Sequence, residues 1–110
     1  MFEYVIYMPF PLKTKGSESD AIEWMIVSQY NFDPGLQVDD EIDLIKHFGG
    51  WEDEPFLFKK ARVVKKDKIV KSQKGGDIFR VEVFVELADK EDLMRMRKIL
   101  RELSPGKFED

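Results

Sequence analysis

From Phe56 to Leu87 the chain reads FLFKKARVVKKDKIVKSQKGGDIFRVEVFVEL, three runs rich in β-branched and aromatic residues divided by two turn signals. Gly75-Gly76 is a two-residue hairpin signal, because glycine accepts the positive φ that type I′ and II′ turns require. With those residues as the loop, Lys74 faces Asp77, Lys71 faces Arg80, Val70 faces Val81 and Ile69 faces Glu82. Lys65-Lys66-Asp67-Lys68 is the second break. A two-residue or a four-residue loop there sets Val64 against Ile69, and hence Val63 against Val70 and Arg62 against Lys71. Directly opposed residues share a face. One face of the expected meander therefore carries Val63/Val70/Val81 and Ala61/Ser72/Phe79, with Leu57, Val83, Val85 and Leu87 in phase, and is a core face. The other carries the row Arg62/Lys71/Arg80, with Lys60, Phe58 and Phe56 beside it.

The remaining elements follow from shorter patterns. Glu3 to Phe10 is aromatic and β-branched and predicts a strand that Pro9 and Pro11 end near Met8. Lys13 to Ser19 is a polar loop. Ser17 or Ser19 is a candidate cap for a helix running to about Tyr30, with Ile22, Met25, Ile26 and Tyr30 at helical spacing. Asn31-Phe32-Asp33-Pro34-Gly35 is a stop and turn. Leu36 to Phe48 fits a helix with the stripe Ile42, Ile45 and Phe48, or a strand; the strand reading is preferred for Glu41 to Ile45. The preceding Pro34-Gly35-Leu36 resembles the lead-in to strands of many unrelated small β-barrels, with Asp39 where those folds usually carry glycine. Asp89 predicts the start of a C-terminal helix with the stripe Leu93, Met96, Leu100 and Leu103. Acids lie in its first turn and bases later, as the helix dipole favours. Ser104-Pro105-Gly106 ends that helix, and a frayed tail is expected.

These elements predict a single α+β domain over residues 1–110: a mostly antiparallel sheet of four or five strands, with a half-open barrel as a variant, covered by two helices. Composition changes this picture little. The 110 residues suffice for one core, and the hydrophobic fraction of 43% argues against disorder. The absence of cysteine excludes disulfides and thiolate zinc sites. No apolar run approaches the roughly 20 residues of a membrane span, and the N-terminus lacks a basic secretory region. A soluble, cytoplasmic protein is the expectation.

Charge is more informative. The net charge is −4, but eleven acids face one base between Glu18 and Glu54, and eight bases face one acid between Lys59 and Lys74. Two explanations compete: the acidic part lies against the basic part within the fold, or each meets a partner, including a second copy in a homodimer. The like-charged row poses the same choice locally. Opposed like charges cost a few tenths to about 1 kcal/mol per pair, so either Glu82 compensates them or an external anion does.

Catalytic signals are weak. His47 is the only histidine, and a general base needs a nucleophile and an orienting partner in reach. Asp39, Asp40, Glu41 and Asp43, with Glu52, Asp53 and Glu54, are oxygen donors, but their spacing is not that of an EF-hand. Lys74-Gly75-Gly76-Asp77 lacks the length and following helix of a phosphate loop. No cofactor or metal is expected. The reading these residues favour is a non-enzymatic binding or adaptor protein that recognises a macromolecular partner, foremost a protein, through its segregated charges. Lys60, Arg62, Lys71 and Arg80 would form the positive face with Phe58 at its border. A single-stranded nucleic-acid-binding domain is one alternative, since lysine, arginine and aromatics are what such surfaces use. An enzyme with Glu82 or Glu86 beside the arginines, acting on an anionic substrate, is the other.

Overall fold

The structure is a computed structural model that describes residues 1–16, 23–46 and 56–109, with backbone alone at Lys46 and residues 56–59. Its elements in chain order are β1 (Phe2–Pro9), β2 (Trp24–Tyr30), β3 (Glu41–Lys46), β4 (Phe56–Gln73), β5 (Gly76–Leu87) and α1 (Lys90–Leu103). The strands form one five-stranded sheet in the order β2-β1-β5-β4-β3. The fold is α+β and dominated by the sheet. The sheet is mixed: β1 runs parallel to β5, while β1–β2, β3–β4 and β4–β5 are antiparallel. Among the described residues no helix is long and apolar enough to cross a membrane.

The expected two covering helices are reduced to one among the described residues. Trp24–Tyr30 is not the end of a helix but strand β2, paired with β1. The apolar positions of WMIVSQY satisfy both periods. Met25 and Val27 turn inward to the core and Trp24 and Ile26 stay exposed, as strand alternation with a bulge after Ile26 allows. Pairing decides the matter, because β2 satisfies the backbone groups along the outer side of β1. Ser17, Ser19, His47 and the Glu52–Glu54 acids lie outside the described residues.

The meander is also corrected. The Lys65–Lys68 segment does not turn, and β4 runs unbroken through it for 18 residues. Val63 and Val70 are seven positions apart, so they share a face only if the alternation is switched between them. A bulge at Val64 makes that switch, with Val63 opposite Val85 but Lys65 opposite Phe84. The hairpin loop lies at Lys74-Gly75 instead of Gly75-Gly76, with Gln73 opposite Gly76. Gly76 then holds φ 119 as the first residue of β5. Relative to the expected register, the β4 residues from Ile69 to Ser72 meet β5 residues two places earlier, so Lys71 opposes Ile78 and Ile69 opposes Arg80. Arg62, expected opposite Lys71, instead opposes Glu86 because β4 does not turn.

The core lies on one face only. Tyr4, Ile6 and Met8 of β1 join Val81, Val83 and Val85 of β5, Ala61 and Val63 of β4, and Met96 and Ile99 of α1. α1 starts at an Asp89 cap whose carboxylate accepts from the Glu91 N–H at 2.8 Å. Its buried side chains are Asp92, Met96 and Ile99, so the inward stripe is rotated slightly from the expected Leu93/Met96/Leu100. The helix ends at Ser104, and Gly106 takes φ 77. The tail beyond is docked where fraying was expected. Phe108 is 6% exposed, bridges Thr14 and packs its ring 5.4 Å from that of Phe10.

In the lead-in to β3, Gly35 and Asp39 both have positive φ, 80 and 75. Asp39 occupies the left-handed conformation that glycine tolerates without cost. Its N–H donates to Val63 O at 2.8 Å, and Val63 N–H donates to Asp40 O at 2.9 Å.

Two stability predictions follow from this geometry. Asp39→Val should cost about 1–2 kcal/mol by forcing a β-branched residue into the left-handed region, whereas Asp39→Gly should change stability by under about 1 kcal/mol. Urea unfolding of both variants reads the difference, and equal losses would contradict it. Phe108→Ala should cost about 3 kcal/mol, as for other buried phenylalanines; a loss under about 0.5 kcal/mol would mean that the tail is frayed in solution.

Candidate binding face

The face of the sheet away from α1 is covered by no described element. Its cross-strand rows are Ile26–Tyr7–Phe84–Lys65, then Gln29–Val5–Glu82–Asp67, then Glu3–Arg80–Ile69. The first row is aromatic. Tyr7 and Phe84 stack at 5.3 Å, Trp24 meets Phe84 edge-on at 4.9 Å, and Lys65 Nζ lies 5.5 Å from the Phe84 ring centre. Trp24 and Ile26 remain 42% and 49% exposed at this cluster.

The other rows hold charge, and it is paired. Arg80 lies 3.7 Å from Glu3 and 3.4 Å from Glu82, and its Nη2 donates a short hydrogen bond to the Tyr7 hydroxyl. Arg80 Nε is buried with no hydrogen bond of its own; the Glu82 contact is an ion pair lacking hydrogen-bond geometry. Arg62 Nη2 donates to Glu86 Oε1 at 2.9 Å, and Lys65 pairs with Asp67 at 3.2 Å. The Arg62 and Lys65 pairs are well exposed and each contributes at most about 1 kcal/mol. Their larger effect is to leave this face with little net field.

The positive row expected from the sequence is therefore not assembled. Arg80 sits on central β5, ringed by Glu3 and Glu82. Arg62 sits on β4 between Glu41 and Glu86 in the ladder. Lys71 is exposed nine residues along the same strand, toward the hairpin. Lys60 takes φ 57 at a bulge, where its N–H donates to Asp43 Oδ1 at 3.2 Å. Beyond that bulge the alternation shifts, so Phe58 is in register with core residue Leu44, off the Arg62 row. Glu82 does lie against Arg80, as the internal explanation required. Acidic β3 lies beside basic β4, so part of the charge segregation is also internal.

Two of the carboxylates expected as metal donors serve the backbone: Asp40 accepts from Gln37 N–H at 2.8 Å and Asp43 from Lys60 N–H. Asp33, outside that set, accepts from Gly35 N–H at 2.7 Å. No group of three or more metal-ligating side chains occurs among the described residues. The aromatic cluster was missed because Trp24 was placed on a helix; only strand alternation puts Trp24 and Ile26 beside Tyr7.

Two tyrosines carry a pH signature. Burial raises the Tyr7 pKa above the usual 10.0, and the hydrogen bond and charge of Glu82 push it further, against Arg80. Burial likewise raises Tyr4, reinforced by Asp33. The Leu36 backbone pulls Tyr4 the other way more weakly, consistent with a buried hydroxyl that has no well-formed hydrogen bond. A folded-state pKa above the unfolded one gives stability that is complete below about pH 10 and is lost as pH rises through the folded value. Stability should therefore decline above about pH 10, and Tyr4→Phe should reduce that decline while costing under about 0.5 kcal/mol at pH 7. Urea titrations across that range test it; a flat profile in the unsubstituted protein would refute the assignment.

The chain matches no protein-family model, and comparison with curated proteins and with solved structures finds no match.

Proposed function

We propose that this protein is a non-enzymatic binding module that recognises another protein through the open face of its sheet. The observation carrying this reading is the aromatic cluster of Trp24, Tyr7 and Phe84 with Ile26, half-buried at Tyr7 and Phe84, exposed at Trp24 and Ile26 on edge strand β2, and flanked by charges that neutralise one another. Protein interfaces have this anatomy, an apolar centre rich in Trp and Tyr with a polar rim. Isolated exposed apolar residues need no explanation, but a contiguous aromatic patch on a sheet face that no described element covers does. The partner this chemistry suits presents apolar side chains and no strong charge of either sign. Arg62 and Arg80 act as rim residues, while Lys60 and Lys71 lie toward its periphery.

Two other readings fit less well. Phosphate binding needs positive charge that is not already satisfied, and Glu3, Glu82 and Glu86 lie against the two arginines. An enzyme reading needs a carboxylate available for chemistry, and Glu82 and Glu86 lie against Arg80 and Arg62.

The reading is tested with a purified partner identified by cross-linking at Trp24. The double variant Trp24→Ser/Ile26→Ser should weaken binding at least about 30-fold, and raising salt should weaken it by less than about 3-fold. Affinity that is indifferent to the variant, or that collapses with salt, would overturn it. Two further measurements separate the alternatives. Oligonucleotide binding lost in Arg62→Glu/Arg80→Glu would establish the nucleic-acid reading, and a dimer abolished by the Trp24/Ile26 variant would make the partner a second copy.

A further inference from the structure

On the other side of the molecule, α1 and the segment after β1 enclose a groove of about 470 Å³. Met94, Arg97 and Arg101 line it from α1, and Pro11 to Lys13 line it from the facing segment. The spacing of three and then four places the helix residues on one side of α1. The opposite wall is fixed by the C-terminal tail: Glu109 N–H donates to Lys13 O at 2.8 Å and Lys15 N–H to Lys107 O at 2.9 Å. Arg97 and Arg101 thus converge with Lys13 on a groove that, among the described residues, Glu109 alone lines with a carboxylate.

Helix electrostatics accounts for only part of this. Arg101 lies in the last turn, where the dipole favours a cation. Arg97 lies a full turn earlier, beyond the reach of that effect, and a like-charge pair at i and i+4 is unfavourable. Arg97 Nε donates to Pro11 O at 3.2 Å, which ties the helix to the segment and holds the guanidinium in place. That bond uses one donor. Among the described residues neither Arg97 nor Arg101 makes an ion pair; Arg101 has only a long 3.5 Å hydrogen bond to Glu109 O.

We infer that this groove binds a small oxyanion, a phosphate or carboxylate group, held by the Arg97 and Arg101 guanidinia with Lys13 opposite. Arginine forks match both groups by paired N–H donors. Met94, 66% exposed at the groove, offers an apolar surface to whatever carries the anion. The volume suits a metabolite-sized molecule. This site is independent of the open sheet face, and either can fail without the other.

The test is titration of the ¹⁵N-labelled full chain with inorganic phosphate and separately with acetate, at ionic strength held constant with chloride. Saturable shifts at Lys13, Met94, Arg97 and Arg101 with a Kd of about 1–10 mM are expected for at least one anion. Arg101→Gln, an exposed substitution that leaves the Pro11 tie intact, should weaken binding about 10-fold. Arg97→Lys should weaken it while retaining charge, and Lys68→Gln on β4 should leave it unchanged. Saturation by phosphate alone assigns a phosphate ligand, and saturation by both admits carboxylates. No saturable shift with either anion up to about 50 mM, or equal binding by Arg101→Gln, would overturn the site.

Discussion

The pairing on which the fold depends is the parallel ladder between β1 and β5, from Phe2 opposite Phe79 to Tyr7 opposite Phe84. It joins two locally formed units, the β1–β2 pair and the β3–β4–β5 meander, into one sheet. It also places Tyr4 beside Val81 and Ile6 beside Val83 at the centre of the core, under Met96 and Ile99. Neither unit has a sufficient apolar face alone. The ladder links residues almost eighty positions apart, so its loop-closure cost is met only when the valine-rich face is buried with it.

The same ladder makes the opposite face what it is. It brings Glu3 beside Arg80 and Val5 beside Glu82, and it stacks Tyr7 on Phe84. Arg80, which faces Ile69 across the β4–β5 hairpin and has Glu82 on its own strand, gains Glu3 from β1 and becomes the centre of a neutralised cluster. Val5 is fully buried on this face, between Gln29 and Glu82 in the ladder. Charge pairing and aromatic stacking here are two products of one register. The groove beside α1 has another origin, because the docked tail holds Lys13 in place and Arg97 ties the helix to Pro11.

Much of the fold was legible locally. Pro9 and Pro11 marked the end of β1, Asp89 and Ser104-Pro105-Gly106 bounded α1, and Glu41 to Ile45 carried its strand. The alternation of β5 identified Val81, Val83 and Val85 as core. The requirement that Val63 and Val70 share a face was also correct, although a bulge met it instead of a turn. What local pattern could not separate were registers differing by two residues, since these leave every side chain on the same face. Val63, Val81, Val83 and Val85 were therefore right as core residues while the opposed charges were wrong; Val70 keeps the expected face but is 63% exposed, outside the core. Trp24–Tyr30 failed for a related reason, its apolar positions being compatible with helix or strand.

The sequence by itself determined which residues face the core on β5, the breaks after β2 and α1, and that acids and bases are segregated along it. Those features depend on alternation, glycine and proline chemistry, and composition, all of which act over a few residues. Tertiary structure decided which charges meet, because that depends on pairing between strands distant in sequence and on bulges that add one residue without a composition signal. It thereby replaced a positive row with paired charges around an exposed aromatic cluster, and it docked the tail against Thr14 to wall a cationic groove. Coulomb interactions and ring contacts vary over a few ångströms, so a two-residue slip that hydrophobic burial does not detect changes them completely.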